Sequence, residues 1–187
     1  AILCAMSLRE TIAPSIHGDV TDAPEELDRF SRDTSIFRRR PSLVAHPKNA
    51  EDLSLLVKKV RELREAGETV ALTGRSGGTD MTGGPLTDSI VVSFTKYMNN
   101  LLEIGADYAV AEPGIYYRDF EKATMEKIDM LLPSYPASRE ICALGGIVSN
   151  NSGGELTLHY GKTERYVREL DVVLSDGSRA TFGPLDA

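Results

Sequence analysis

Apolar and polar positions along this chain change period more than once, and each change marks an element. Residues 42–46 are a short apolar run closed by Pro47, which predicts a strand. Then Ala50, Leu53, Leu56, Val57, Val60 and Leu63 recur at the helical period, behind Asn49 as a cap and ahead of Gly67 as a stop. Residues 69–73 read as the next strand. Strand, helix and strand make a βαβ unit, which implies parallel pairing and a right-handed crossover.

Beyond Gly84 the pattern shortens. Residues 89–94, 101–104 and 108–112 read as strands, separated by Asn99-Asn100 and by residues 105–107, close enough for hairpins. A helix follows over 116–127, with Phe120 and Ala123 on one face. Residues 167–174 and 179–182 predict a hairpin on the turn Asp176-Gly177. A parallel first lobe (31–97) and a mainly antiparallel second lobe with helices (98–187) give an α+β fold. Residues 1–30 are weakly patterned and read as an arm with one short helix from Pro24 to about Phe30.

Two stretches obey neither period. Residues 70–84 run from an apolar start into a turn holding Gly74, Gly77, Gly78, Gly83 and Gly84 among small hydroxyl residues. Glycines leave backbone N–H groups unshielded, and successive N–H groups form a concave nest for phosphate. Ser76, Thr79 and Thr82 add hydroxyls, and Arg75 adds the only positive charge in the turn. A plain tight turn is the alternative. Neither G-x-G-x-x-G nor the Walker spacing is present: Gly161-Lys162-Thr163 has a Walker tail, but position 156 is Leu. The second stretch, residues 133–154, is rich in Gly, Pro, Ser and Asn, yet Ile141, Leu144, Ile147 and Val148 keep it from being a solvated linker. Both stretches suit backbone contact with something large, such as a dinucleotide between two lobes.

Composition narrows the partners. With 21 Lys plus Arg against 28 Asp plus Glu, the net charge of −7 lacks the basic footprint of nucleic-acid binding. Cys4 and Cys142 are far apart and suggest no disulfide framework, so a reducing compartment is expected. His17, His46 and His159 are scattered, and no metal site is expected. The opening residues are too short for a signal segment, and no apolar run suits a membrane span.

Pro41-Ser-Leu-Val-Ala-His-Pro47, Gly74-Arg-Ser-Gly-Gly-Thr-Asp-Met-Thr-Gly-Gly84, Ala111-Glu-Pro-Gly114, residues 133–138, Leu144-Gly-Gly146, Asn151-Ser-Gly-Gly154, His159-Tyr-Gly-Lys162 and residues 170–177 follow one another in order. This series resembles the FAD-binding domain of the vanillyl-alcohol oxidase/PCMH flavoprotein family, nearest to its glycolate oxidase GlcD subunit and D-lactate dehydrogenase group. The resemblance implies the two-lobed PCMH-type FAD-binding fold. It also implies that Arg75, Ser76, Gly77, Gly78 and Thr79 form the pyrophosphate loop, with Asp80 and Gly83 flanking. Pro136, Ser138, Cys142, Gly145, Gly146, Ser149, Asn151 and Gly153 fall on the segment that lines the flavin and ribityl chain, and Val172 and Val173 lie where relatives shield adenine or ribose.

Departures refine these expectations. Some members carry a flavin-linked histidine where this chain has Thr79, so non-covalent FAD is expected. Ala143 stands where many relatives have Thr, which removes a hydroxyl contact. The resemblance implies a flavin-dependent oxidoreductase that oxidises a 2-hydroxy acid, lactate- or glycolate-like, or a related alcohol by hydride transfer to flavin N5. A cap domain or second subunit outside this chain would supply the substrate pocket and the base, and no catalytic residue is assigned here. A cytoplasmic place is implied, free or peripheral on the inner membrane. Two alternatives stand: a non-catalytic assembly module that keeps the fold, and an FAD domain like that of UDP-N-acetylenolpyruvoylglucosamine reductase.

Overall fold

The computed structural model describes residues 6–184; Cys4 and the opening residues read for a signal segment lie outside them. Four strands form the first sheet in the order β1 (Asp19–Thr21), β2 (Leu43–His46), β4 (Ile90–Ser93), β3 (Leu72–Arg75). β2 and β3 both run parallel to β4, while β1 pairs antiparallel with β2. The βαβ expectation holds in direction, with β4 inserted between its two strands. Residues 89–94, expected among the hairpins, are therefore the centre of the parallel sheet.

The reason is burial on both faces. Every residue of β2 and β4 is buried, as in parallel sheets covered on each side. On one face, α3 (Ala50–Glu65) sets Leu56 and Val60 against Leu43, Ala45, Ile90 and Val92. On the other, α2 (Pro24–Arg29) and the next residue set Leu27 and Phe30 against Val44 and Val91. α3 has the predicted limits: the Asn49 side chain accepts from the Asp52 amide at 2.9 Å, and Gly67 turns away at φ +96°.

The first thirty residues do more than an arm would. α1 (Leu8–Ile12) opens with a capping box between Ser7 and Glu10, and Ile12 and Ile16 enter the first core. The buried Asp52 carboxylate accepts the amides of His17 and Lys48, each at 2.9 Å. Burial would raise its pKa, but those backbone bonds outweigh burial and lower it.

Beyond β4, β5 (Leu101–Ile104) and β6 (Ala109–Ala111) form the expected antiparallel hairpin. α4 (Tyr117–Ile128) packs Tyr117 and Phe120 with Ile115, Tyr135, Cys142 and Ile147 into a second core. α5 (Leu144–Ser149) and α6 (Thr157–Tyr160) are short. β7 (Leu170–Val173) and β8 (Arg179–Phe182) close on Gly177 at φ +79°, as the turn residues predict.

Candidate functional site

The glycine loop leaves the carboxyl end of β3, where parallel α/β sheets place ligands. Among the described residues, the amides of Ser76, Gly77, Gly78 and Thr79 donate to no acceptor in the protein. Four adjacent unspent N–H groups, on residues that are themselves half-buried, are a donor set for an anion. Gly78 sits at φ +69°, and a Cβ there would collide with the Arg75 guanidinium.

Arg75 lies against this row, its guanidinium where a Cβ on Gly78 would stand, and it is also tied to the segment beside the loop. Its guanidinium donates to the Arg32 carbonyl at 2.7 Å and the Phe30 carbonyl at 3.4 Å, and it lies 5.2 Å from the Phe30 ring centroid. Burial lowers its pKa. Asp80 likewise serves the loop itself: its carboxylate accepts from Gly84 N at 2.7 Å, Thr82 N at 3.0 Å and Thr82 Oγ1 at 2.7 Å. These bonds, that of Gly84 first, lower its pKa. Gly83 closes the turn beside Phe37.

The two special stretches meet. A Cβ on Gly77 would stand 2.7 Å from the Ile141 carbonyl oxygen and 3.1 Å from Ala143 N. Beside it, the Pro113 carbonyl accepts from both Ser76 Oγ at 3.0 Å and Gly145 N at 2.8 Å. Residues 142–144 are fixed in turn to the start of α4, through Tyr117 N to the Cys142 carbonyl and Leu144 N to the Ile115 carbonyl, both 3.0 Å. Ser138 closes a turn by accepting from Ile141 N at 2.8 Å and Cys142 N at 2.9 Å. The Cys142 thiol faces the second core, where burial raises its pKa, so Cys142 presents only its backbone to the loop.

Residues 133–154 are not a loop throughout, because α5 occupies their middle. Gly146 and Ser149 lie on its exposed side. Past α5, a cavity of about 330 Å³ is lined by Pro136, Asn151 and Gly153 from the expected set and by Thr157 and Lys162, which were not expected. The Thr157 hydroxyl is buried with no hydrogen-bond partner among the described residues. Nothing local in the sequence marks Thr157; Lys162 ends the motif His159-Tyr-Gly-Lys162, whose spacing implies no role for it. Asn151 adopts φ +44° and accepts from Glu164 N at 3.0 Å. The hairpin carrying Val172 and Val173 is anchored on α3, where Ser54 Oγ donates to the Gly177 carbonyl. These two valines are not among the residues that the loop-to-loop contact brings together.

Unspent amides, an unpartnered hydroxyl and glycine where a Cβ would clash together fit an extended ligand with a diphosphate and polar edges. Among the described residues no cluster of His, Cys, Asp and Glu could hold a metal ion, and no helix is long and apolar enough to cross a membrane.

The sequence profile of the FAD binding domain family matches residues 41–183. A D-2-hydroxyglutarate dehydrogenase of Pseudomonas putida is 31% identical over 159 residues, covering 84% of this chain and 16% of that enzyme. The glycolate oxidase subunit GlcD of Bacillus subtilis is 34% identical over 148 residues, covering 77% of this chain and 30% of that subunit. This chain therefore spans less than a third of the length of these relatives. Among solved structures, 6-hydroxy-D-nicotine oxidase from Arthrobacter nicotinovorans superposes with a TM-score of 0.74 at 22% identity, over 90% of this chain and 36% of that one. That likeness carries the fold alone.

Proposed function

This chain belongs to the FAD binding domain family, and from that premise we propose that it holds FAD non-covalently along the seam between its two special stretches, as the flavin-carrying part of an oxidoreductase acting on a 2-hydroxy acid. The observation that carries the reading is the row of unspent amides at residues 76–79, seated against residues 141–145. Ser76, Gly77, Gly78 and Thr79 offer those amides to the diphosphate. Asp80 and Gly83 shape the loop, and Arg75 braces it from beneath.

Pro136, Ser138, Gly145, Gly146, Ser149, Asn151 and Gly153, with the backbone of Cys142, line the flavin and its ribityl chain. Thr157 and Lys162 join them through the cavity. Bound there, FAD supplies a two-electron acceptor; the protein's residues orient it and tune it by hydrogen bonds. A threonine at position 79 has no nitrogen to bond to the flavin ring, which supports non-covalent attachment.

The 2-hydroxy acid rests on the names of the relatives, a glycolate oxidase subunit and a D-2-hydroxyglutarate dehydrogenase. In this reading the substrate pocket and base belong to a cap domain or second subunit outside this chain. The test is an absorbance spectrum of the purified protein before and after denaturation and filtration. Twin flavin bands that pass the filter once the protein is denatured are the expected result. Bands retained with the protein would overturn non-covalent attachment, and a spectrum still featureless after incubation with FAD would overturn flavin binding.

A further inference from the structure

The glycine loop does not hold its shape alone. Residues 30–37, between α2 and β2, run alongside it as a strap, and polar links join the two. The Thr34 amide donates to the Asp80 carbonyl at 3.2 Å. The Thr34 hydroxyl lies 2.9 Å from the Thr79 carbonyl oxygen and 2.8 Å from that of Asp80, so one proton is shared between two acceptors. From the loop side, Arg75 reaches back to the carbonyls of Phe30 and Arg32.

A concave row of N–H groups exists only while the carbonyls beside it are turned elsewhere. Those of Thr79 and Asp80 close the row at its far end, and Thr34 is the residue that holds both. The geometry points to Thr34 as a positioning residue for the diphosphate: it keeps the Thr79 end of the amide row open without touching the ligand. This rests on reading residues 76–79 as the diphosphate-binding row. Thr34 is exposed, so its hydroxyl is not a core requirement. Its β-branch restricts the side chain to few rotamers, which fixes where the hydroxyl points.

The test compares Thr34→Val, which keeps the shape and the amide but loses the hydroxyl, with Thr34→Ser, which keeps the hydroxyl. FAD is titrated into the flavin-free protein by fluorescence quenching, and ADP, which carries a diphosphate but no flavin, is titrated by calorimetry. Urea unfolding of the flavin-free form is the control. Thr34→Val should raise the dissociation constants of both probes about tenfold, with Thr34→Ser restoring them to within about threefold. The urea midpoint should hardly move in either variant.

Unchanged binding in Thr34→Val, with wild type binding normally, would overturn the strap and leave the diphosphate loop standing. Equal losses in the two variants would overturn the role of the hydroxyl, and a fall in urea midpoint large enough to explain the loss would make Thr34 a folding residue instead. Wild-type protein that binds neither probe overturns the diphosphate reading, and the strap with it, before any substitution is compared.

Discussion

Gly77 lies so close to Ile141 that a single added carbon would stand 2.7 Å from the Ile141 carbonyl oxygen. Sixty-four positions apart in the chain, the two residues make the seam on which the proposed cofactor site is built. Gly77→Ala should therefore push the two stretches apart. Since the clash is with backbone, no side-chain rotation relieves it. The expected outcome is a dissociation constant for FAD raised at least about a hundredfold, close to 2.7 kcal/mol. Far-UV circular dichroism should keep the wild-type shape, and absorbance of the purified variant should show the flavin bands gone.

Arg75→Ala separates brace from ligand contact. Its guanidinium is held by two carbonyls and the Phe30 ring, so its loss should show first in folding, as roughly 1–2 kcal/mol in urea unfolding. FAD affinity should fall less than about tenfold. A total loss of binding with unchanged stability would place the charge on the diphosphate.

Thr157→Val should have effects of opposite sign on folding and on binding. A buried hydroxyl without a partner costs about 1–3 kcal/mol, so valine should leave the flavin-free protein as stable as wild type or more so. Flavin binding should weaken if the ligand supplies the missing partner. Urea midpoints and fluorescence titrations on the same preparations read both, and unchanged affinity would remove Thr157 from the site.

His46 gives a pH dependence with a defined sign. It is buried at the end of β2, and burial first, then the Lys96 charge, lowers its pKa below 6.5. Below that value the unfolded chain takes up a proton that the folded form resists. Stability should therefore be fullest above about 6.5, decline as pH falls, and level off below the folded-state pKa. The slope for one proton is at most about 1.4 kcal/mol per pH unit. His46→Gln should flatten urea stability over that window, and an unchanged slope would assign it to another group.

Much was legible in the sequence where the cause is local. The Asn49 cap and Gly67 stop bound α3, and Asp176-Gly177 turns the last hairpin, because caps and turns are decided by residues a few positions apart. The glycine loop was legible for the same reason: small residues leave amides bare wherever the chain goes. The quoted motifs carried the family, which no period or spacing implied.

Tertiary structure decided what depends on distant neighbours. Spacing put β2 and β3 in one parallel unit, but only burial on both faces inserts β4 between them. Composition gave Arg75 a charge, and packing ties that charge to the Arg32 carbonyl and the Phe30 ring as well as setting it against Gly78. Weak patterning hid α1 and β1, whose order comes from Asp52 and the first core rather than from their own periodicity. The seam itself, Gly77 on Ile141 and Ser76 on Pro113, exists because residues 142–144 are pinned to the start of α4. No local pattern encodes that pinning, since its energy lies in hydrogen bonds and apolar burial between segments the chain brings together only on folding.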